Sequence, residues 1–193
     1  GRQYEPIIRI NSQSGKGGAA FIMQQMFGYN MPKAMHPEFG RVVKAACDAA
    51  GRELQPKEIL ELFENEYLKV RAPYTLKRYK LYEENATDGS EVAVHFEGVI
   101  SNGEKESAIS GVGNGPIDAF FTALSAVGIT GYHFVSYHEH ALSTGADSKA
   151  LSYIELKTPD DQTVFGVGLD GNISLSSIKG ILCAINRSRR AAK

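Results

Sequence analysis

The spacing of apolar and polar residues divides the chain into a helical first part and a strand-rich second part. Before residue 70, the sequence predicts a short strand in "EPIIRI", a glycine loop in "NSQSGKGG" and a helix in "AAFIMQQM". A second helix is predicted from Pro37 to Ala50, ending at Gly51. A third begins at Pro56, and its predicted apolar face consists of Ile59, Leu62, Phe63 and Tyr67. The segment "KVRAPYTLKR" then interrupts this pattern and predicts a domain boundary.

From Lys77 onward the pattern predicts strands joined by turns. In "EVAVHFEGVI", for example, apolar and polar positions alternate as in a half-buried strand. The same order occurs twice: three strands, of which the third ends in Gly-Val-Gly, and then an amphipathic helix. The predicted fold class is therefore α+β. Small helical linker subdomains occupy residues 1–70, and two β-β-β-α repeats occupy residues 77–193.

Each repeat ends in a helix with one apolar stripe, as expected for a helix that covers one face of a sheet. In the first repeat the stripe consists of Ile117, Phe120, Phe121 and Leu124. In the second repeat it consists of Leu175, Ile178, Leu182 and Ile185.

Composition and charge narrow the classes of function. Of 193 residues, 42% are hydrophobic and 22% are charged, with a net charge of −1, as in ordinary globular proteins. Nucleic acid and membrane are therefore not expected as partners. One basic run, expected to be a solvated tail, consists of Arg187, Arg189, Arg190 and Lys193.

The cysteines and the ends of the chain indicate its location. Cys47 and Cys183 lie in apolar helical patterns, where reduced thiols pack as small hydrophobic groups, which favours a reducing compartment. The sequence also lacks a stretch long enough for a transmembrane helix and the pattern of a signal peptide. A cytoplasmic location is expected, and the initial Gly1 fits a fragment excised from a longer protein.

Two motifs invite a more specific interpretation. "SGKGG" is not a Walker A loop, because Gly17 follows Lys16 where Ser or Thr is needed. Residues 15–18 match the Gly-x-x-Gly loop of KH domains, which bind nucleic acid, but here the loop follows a strand and has no basic face nearby. His138 and His140 share one strand face, but no third metal ligand is apparent, so neither a metal site nor a bound cofactor is expected.

The stretch "GVGNGPIDAFF" offers a site for a small anion. It lacks the third glycine of a dinucleotide fingerprint, and the chain has no readable arrangement of nucleophile, base and orienting acid. Asn114 is expected to cap the following helix, with Pro116 in its first turn. The backbone N–H groups of such a helix start can bind one carboxylate, although the turn alone is more typical of an ordinary capped helix without ligand.

Four ordered motifs resemble one family. "IIRINSQSGKGGAAFIM", "GVGNGPIDAFFTAL", "EHALSTGADSKALSYIEL" and "GVGLDGNISLSSIKGILCAINR" together look like the C-terminal part of 2-isopropylmalate synthase, from leucine biosynthesis. The resemblance implies linker subdomains followed by a leucine-sensing regulatory domain that forms homodimers. The catalytic barrel of the family, with its divalent metal and its sites for acetyl-CoA and 2-oxoisovalerate, is absent, so this chain is expected to be a regulatory part of an acyltransferase without catalytic residues of its own.

In that family leucine lies between two regulatory domains, and the resemblance implies which residues contact it. At the glycine turn these are Gly113, Asn114, Gly115, Pro116 and Ile117. On the strands and in the second repeat they are Tyr137, Ala141, Ser148, Ala150 and Ile173.

The sequence departs from the family at two positions and leaves alternatives open. Ser148 stands where relatives often have a small apolar residue, and Phe21 where they often have tyrosine. One methylene group changes the free energy of binding by only about 1–3 kcal/mol. The sequence therefore does not decide whether the ligand is leucine or isoleucine. The alternatives are the isoleucine-sensing region of citramalate synthase, a KH-like nucleic-acid-binding module and a purely structural dimerisation unit.

Overall fold

A computed structural model describes residues 16–84, 92–144 and 146–191. The chain forms two compact units, Gly1–Lys69 and Val70–Lys193. The strand predicted in "EPIIRI" lies outside the described residues. No helix within the described ranges is long and apolar enough to cross a membrane.

The first unit contains three α-helices: α1 (Lys16–Phe27), α2 (His36–Ala50) and α3 (Pro56–Phe63). A short 3₁₀ turn, Lys33–Met35, precedes α2, and a π-helical turn, Glu64–Leu68, continues α3. Helix α1 begins earlier than expected, because the last residues of the predicted glycine loop are helical. Each helical glycine costs about 1 kcal/mol, but α1 also buries Ile22 and Met23 completely, and it packs on α2 and α3.

The ends of α2 and α3 follow the local sequence signals. Gly51 ends α2 in the left-handed conformation, with φ 67°, where an L side chain would be strained. Helix α3 begins with Pro56 and a capping box between Gln55 and Glu58. The aromatic core of this unit is formed by Tyr29, Phe39, Phe63 and Tyr67. The predicted face of α3 is thus confirmed for its buried members, whereas Leu62 is only half-buried.

The second unit has the predicted order of strands and helices, so the two β-β-β-α repeats are confirmed. The first repeat contains β1 (Thr75–Glu84), β2 (Ala93–Ser101), β3 (Glu106–Gly113) and α4 (Pro116–Ser125). The second contains β4 (His133–Thr144), β5 (Asp147–Lys157), β6 (Thr163–Asp170) and α5 (Ile173–Ala191). Each repeat forms its own antiparallel sheet, with the strands in chain order.

The two repeats share one hydrophobic core. Helix α4 packs on β2 and β3, α5 packs on β5 and β6, and the two helices contact each other. Both predicted stripes contribute: Phe120, Leu124, Ile178 and Ile185 are completely buried. Helix α5 is buried over most of its circumference between residues 176 and 187, which the single stripe did not predict.

Polar residues near the end of α5 anchor that helix. The Asn186 side chain is buried and bonds both backbone groups of Tyr74, accepting from its N–H and donating to its carbonyl, each at 2.9 Å. The Arg187 guanidinium donates to the carbonyl of Phe165 at 2.7 Å, and Arg189 donates to the Tyr132 hydroxyl at 3.2 Å. The expectation of a solvated basic tail is therefore wrong for Arg187, which is buried because its long stem packs while its head finds a carbonyl.

Candidate functional site

The Gly-Val-Gly sequences of β3 and β6 bring each third strand into close contact with its helix. A Cβ atom at Gly111 would overlap the backbone of Ala119 and Ala123. One at Gly166 would overlap the backbone of Gly180 and Ala184. These glycines are therefore needed for helix–sheet packing, which explains why the motif occurs once in each repeat.

Gly113, a predicted ligand contact, has the same packing role. A Cβ atom there would lie 2.7 Å from the backbone nitrogen of Ala119 and would also meet the Asp118 carboxylate. Gly115 differs, because nothing lies within 4 Å of the position of its Cβ atom. Its φ of −156° and ψ of 176° are extended backbone angles that any residue adopts. Space beside the backbone, and not unusual geometry, is what this glycine provides.

The expected cap of α4 is wrong. Gly115, not Asn114, is the N-cap residue, and no side chain caps this helix start. Instead the Asn114 N–H donates to the Asp118 carboxylate at 3.2 Å, and the Ala119 N–H donates to the Gly115 carbonyl at 3.0 Å. Within the described residues, the N–H groups of Ile117 and Asp118 have no acceptor. Two donors thus remain for an anion, while the Asp118 carboxylate partly neutralises the positive end of the helix.

The strand residues predicted to contact a ligand lie together on one face of the second sheet. Tyr137 is paired with Ile154, Ala141 with Ala150, and Ser143 with Ser148. Residues two apart in a strand share a face, and so do directly paired residues. Tyr137, Ala141, Ser148 and Ala150 therefore lie on the face that carries α5.

Ile173 lies beside the same face of the second sheet, because the start of α5 packs on that face. The Ser152 hydroxyl on β5 is 2.6 Å from the Ser176 hydroxyl, so this part of α5 lies over Ser152. Ile173 is one helical turn earlier and follows Asp170, which is paired with Ala150, by three residues. The side chains of Ile173 and Tyr137 are 46% and 42% exposed. We refer to Tyr137, Glu139, Ala141 and Ile173 as the edge shelf. The first three lie on β4, which is one of the two outer strands of its sheet.

Glu139 is the member of the edge shelf that the sequence did not identify. Its atom Oε2 is shielded from solvent and has no hydrogen-bond partner in the described part of the chain. Burial, the hydrogen bond from the Tyr137 hydroxyl to Glu139 and the negative charge of Glu139 together raise the pKa of Tyr137 to about 12. The alternation of β4 places Glu139 opposite to the two histidines, but nothing in the sequence shows whether its charge is balanced.

A groove of about 550 Å³ connects the two repeats. Its walls are β1, part of β2 and the starts of α4 and α5, and its lining residues include Tyr79, Leu81, Val94, Pro116, Asn172, Ser174 and Leu175. Pro116 belongs to the predicted glycine turn, and Asn172 directly precedes Ile173. The groove therefore joins the glycine turn to the helix that carries Ile173. Sequence patterns could not reveal the contribution of β1, because it depends on how the two sheets are arranged.

His138 and His140 lie on the other face of β4, as their spacing predicted. The His140 ring donates from Nδ1 to the Ala141 carbonyl at 3.0 Å, and its Nε2 lies at hydrogen-bond distance, 2.9 Å, from the Tyr153 hydroxyl. His138 stacks on the Tyr153 ring with centroids 6.1 Å apart. In the part of the chain that the structure describes, no group of three or more metal-ligating side chains is assembled.

The two cysteines lie in buried helical positions, as predicted. Within the described residues, neither Cys47 in α2 nor Cys183 in α5 forms a disulfide bond. Burial, followed by the negative charge of Asp48, raises the pKa of the Cys47 thiol. The features that could hold a small molecule are the exposed donors at the start of α4, the partly apolar edge shelf and the open groove.

Comparison with known proteins relates this chain to one group. Residues 53–189 match the LeuA allosteric (dimerisation) domain, and residues 1–24 match the alpha-isopropylmalate synthase post-catalytic domain-like family. The 2-isopropylmalate synthase of Clostridium acetobutylicum is 49% identical over 98% of the chain. Those of Pseudomonas fluorescens and Pseudomonas syringae pv. tomato are 40% and 37% identical over 97% and 100% of it.

The chain covers 34%, 32% and 33% of these three relatives, so it corresponds to about a third of their length. The matched allosteric domain includes every residue of the glycine turn, of the edge shelf and of the groove. The order of elements, the repeated Gly-Val-Gly packing and the extent of this match lead to one conclusion: the chain belongs to the family of LeuA allosteric (dimerisation) domains.

Proposed function

We propose that this chain is the regulatory region of a cytoplasmic 2-isopropylmalate synthase, and that it binds L-leucine for feedback inhibition. In this proposal, the rest of the enzyme carries the divalent metal and condenses acetyl-CoA with 2-oxoisovalerate. The observation that carries the proposal is the convergence of Tyr137, Ala141 and Ala150 on one sheet face beside the exposed Ile173. Ala141 and Ala150 are small and leave room for the branched side chain of leucine, and Tyr137 and Ile173 offer it apolar contact.

The energies of such contacts are sufficient for a metabolite sensor. Burying the branched side chain of leucine would contribute about 1.5–3 kcal/mol. Unpaired N–H groups at a helix start would add about 0.3–2 kcal/mol for the carboxylate. The donors of Ile117 and Asp118 are suited to this role, with the Asp118 carboxylate reducing their attraction.

A homodimer fits both the family and the surface of β4. The matched family is named for dimerisation. Strand β4 has a free edge and carries three large exposed side chains, Phe134, Val135 and Tyr137. An exposed apolar edge of this length is stabilised by a partner chain. We place the ligand between the edge shelf of one protomer and its partner, so that leucine changes how the two protomers associate and thereby the activity of the attached enzyme.

Thermal unfolding with candidate ligands tests the proposal. The melting temperature of the chain is measured alone and with leucine, isoleucine, valine or a short RNA. A ligand present at about 100 times its dissociation constant stabilises the folded state by about 2.7 kcal/mol. We expect the largest increase with leucine. A larger increase with isoleucine would favour a citramalate synthase origin, stabilisation by RNA alone would favour a nucleic-acid module, and no response to any ligand would leave a structural dimerisation unit.

The named relatives favour leucine over isoleucine. All three are 2-isopropylmalate synthases, and their similarity extends over nearly the whole chain. The segment that resembles a KH loop also has another explanation, because it falls within the match to the post-catalytic domain-like family. Of that segment, Gly17 and Gly18 lie in the first turn of α1.

A further inference from the structure

Glu139 lies in the middle of the edge shelf. Residues two apart along β4 share a face, so Glu139 projects from the same face as Tyr137 and Ala141. Its cross-strand partner on β5 is Ser152, whose hydroxyl is engaged with Ser176 at 2.6 Å. The carboxylate therefore sits between an aromatic residue and a small residue, beside the first turn of α5.

The Tyr137 hydroxyl bonds Glu139, but within the described part of the chain no cation balances the negative charge of this carboxylate. Atom Oε2 lacks both solvent and a hydrogen-bond partner among the described residues. Within those residues, no Lys, Arg or His forms an ion pair with it. Lys179 of α5 is paired with Asp170 at 2.7 Å. Shielding a carboxylate from water without a cation beside it costs free energy, and a bound cation reduces that cost.

We infer that Glu139 binds the α-ammonium group of the amino-acid ligand and thereby selects amino acids over 2-oxo acids with the same carbon skeleton. This inference rests on the proposed function and adds its chemical specificity. An α-amino acid carries a cation, an anion and an apolar side chain on one carbon. The shelf offers the matching carboxylate, and the exposed Ile173 and Tyr137 offer the apolar contact. A charge-assisted hydrogen bond of this kind is among the stronger polar contacts in proteins.

A 2-oxo acid lacks the ammonium group and keeps the carboxylate. Bound at the edge shelf, it would leave Glu139 uncompensated and bring a second negative charge close to it. Such discrimination is strong, because a site built for a polar group is left with an unpaired buried group when the ligand lacks it. The regulatory site would then not respond to 2-oxo acids, which are the substrate class of the proposed enzyme.

Calorimetric titration of the 193-residue chain tests the inference. L-Leucine and 4-methyl-2-oxopentanoate, its 2-oxo analogue, are titrated into the wild-type chain, into Glu139→Gln and into Glu155→Gln. Glutamine keeps the size of the side chain but removes its charge. Glu155 is a matched control, because it lies on the opposite face of the same sheet, paired with Ser136.

The wild-type chain and Glu155→Gln are expected to bind leucine at least about tenfold more tightly than the 2-oxo acid. In Glu139→Gln, we expect leucine affinity to fall about 10- to 100-fold, with 2-oxo acid affinity unchanged or higher. Equal leucine affinity in the wild type and Glu139→Gln would overturn the role of Glu139 and leave the proposed function intact.

Two other results remain informative. Equal wild-type affinity for both ligands would overturn the inference without any variant, so a Glu139→Gln chain that fails to fold does not prevent the test. No binding of leucine to the wild type would refute the proposed function, and the inference with it.

Discussion

Replacing Gly168 by alanine tests whether the Gly-Val-Gly motif exists for packing. Gly168 lies on β6, paired with Ser152, and α5 crosses directly over it. A Cβ atom at this position would overlap the Ser176 carbonyl and lie 2.6 Å from the backbone nitrogen of Gly180. Both are helix backbone atoms, so no side-chain rotation relieves the overlap.

The helix cannot retreat without losing other contacts. The hydroxyls of Ser152 and Ser176 are 2.6 Å apart in a fully buried position, and Asn186 is bonded to Tyr74 further along the helix. Inserting one methyl group into such a core costs about 1–3 kcal/mol, and we expect Gly168→Ala to lie near the upper end, at about 3 kcal/mol. For a chain of this length, that corresponds to a melting temperature about 6–12 °C lower.

The assay is thermal unfolding followed by circular dichroism, with Gly171→Ala as the matched control. Gly171 is three positions away, outside the strand, and nothing lies within 4 Å of the position of its Cβ atom. Alanine there reduces the entropy of the unfolded chain and is expected to change stability by less than about 1 kcal/mol. A Gly168→Ala chain that melts within about 2 °C of the wild type would refute the packing explanation of the motif.

Three further predictions concern single side chains. Gly115→Val is expected to keep stability within about 1 kcal/mol, because its surroundings are open, while the leucine-induced melting shift disappears; an unchanged shift would remove the turn from the site. Asn186→Ala is expected to cost about 2–4 kcal/mol in urea unfolding, because both backbone groups of Tyr74 lose a buried partner; a cost below about 1 kcal/mol would contradict this. Burial, and then Glu139, raise the pKa of Tyr137 to about 12. In an absorbance titration, with Tyr137→Phe as the reference, we therefore expect Tyr137 to ionise near pH 12. In Glu139→Gln we expect it to ionise at a lower pH. A tyrosine in the unfolded chain ionises near pH 10, so the raised pKa of Tyr137 lowers the stability of the folded chain as the pH rises above about 10. Ionisation of Tyr137 near pH 10 in the folded chain would refute the effect of burial and Glu139 on its pKa.

The fold could be predicted from the sequence wherever local periodicity decides the structure. The alternation in "EVAVHFEGVI" and the glycine after Ala50 each determine a strand or a helix end through a few neighbouring residues. The repeated order of elements extended this to the whole second unit. Prediction failed where distant contacts decide, as at Arg187, whose partner on Phe165 is 22 residues away. Its position on the final helix gave no indication of that carbonyl.

The candidate site was predictable in part for the same reason. The alternation of β4 assigns Tyr137 and Ala141 to one face, and the resemblance supplied the expectation that a ligand lies there. The lack of a hydrogen-bond partner for Oε2 of Glu139 among the described residues depends on three-dimensional surroundings, which the spacing of residues along the chain does not reveal. Asn114 was assigned as a cap because its residue type is common there, but α4 begins at Pro116, so that Gly115 and not Asn114 occupies the N-cap position.

Two hydrogen bonds between Tyr74 and Asn186 connect the start of the second unit to its last helix. Tyr74 leads into the first strand of the first repeat, and Asn186 lies in the last helix of the second, so the opening and closing segments of the unit are fastened together. A displacement of the backbone at Tyr74 therefore acts on α5 through these hydrogen bonds as well as on the first sheet, which begins at Thr75. The backbone that leads into β1 is thereby held to the helix whose first turn borders the edge shelf.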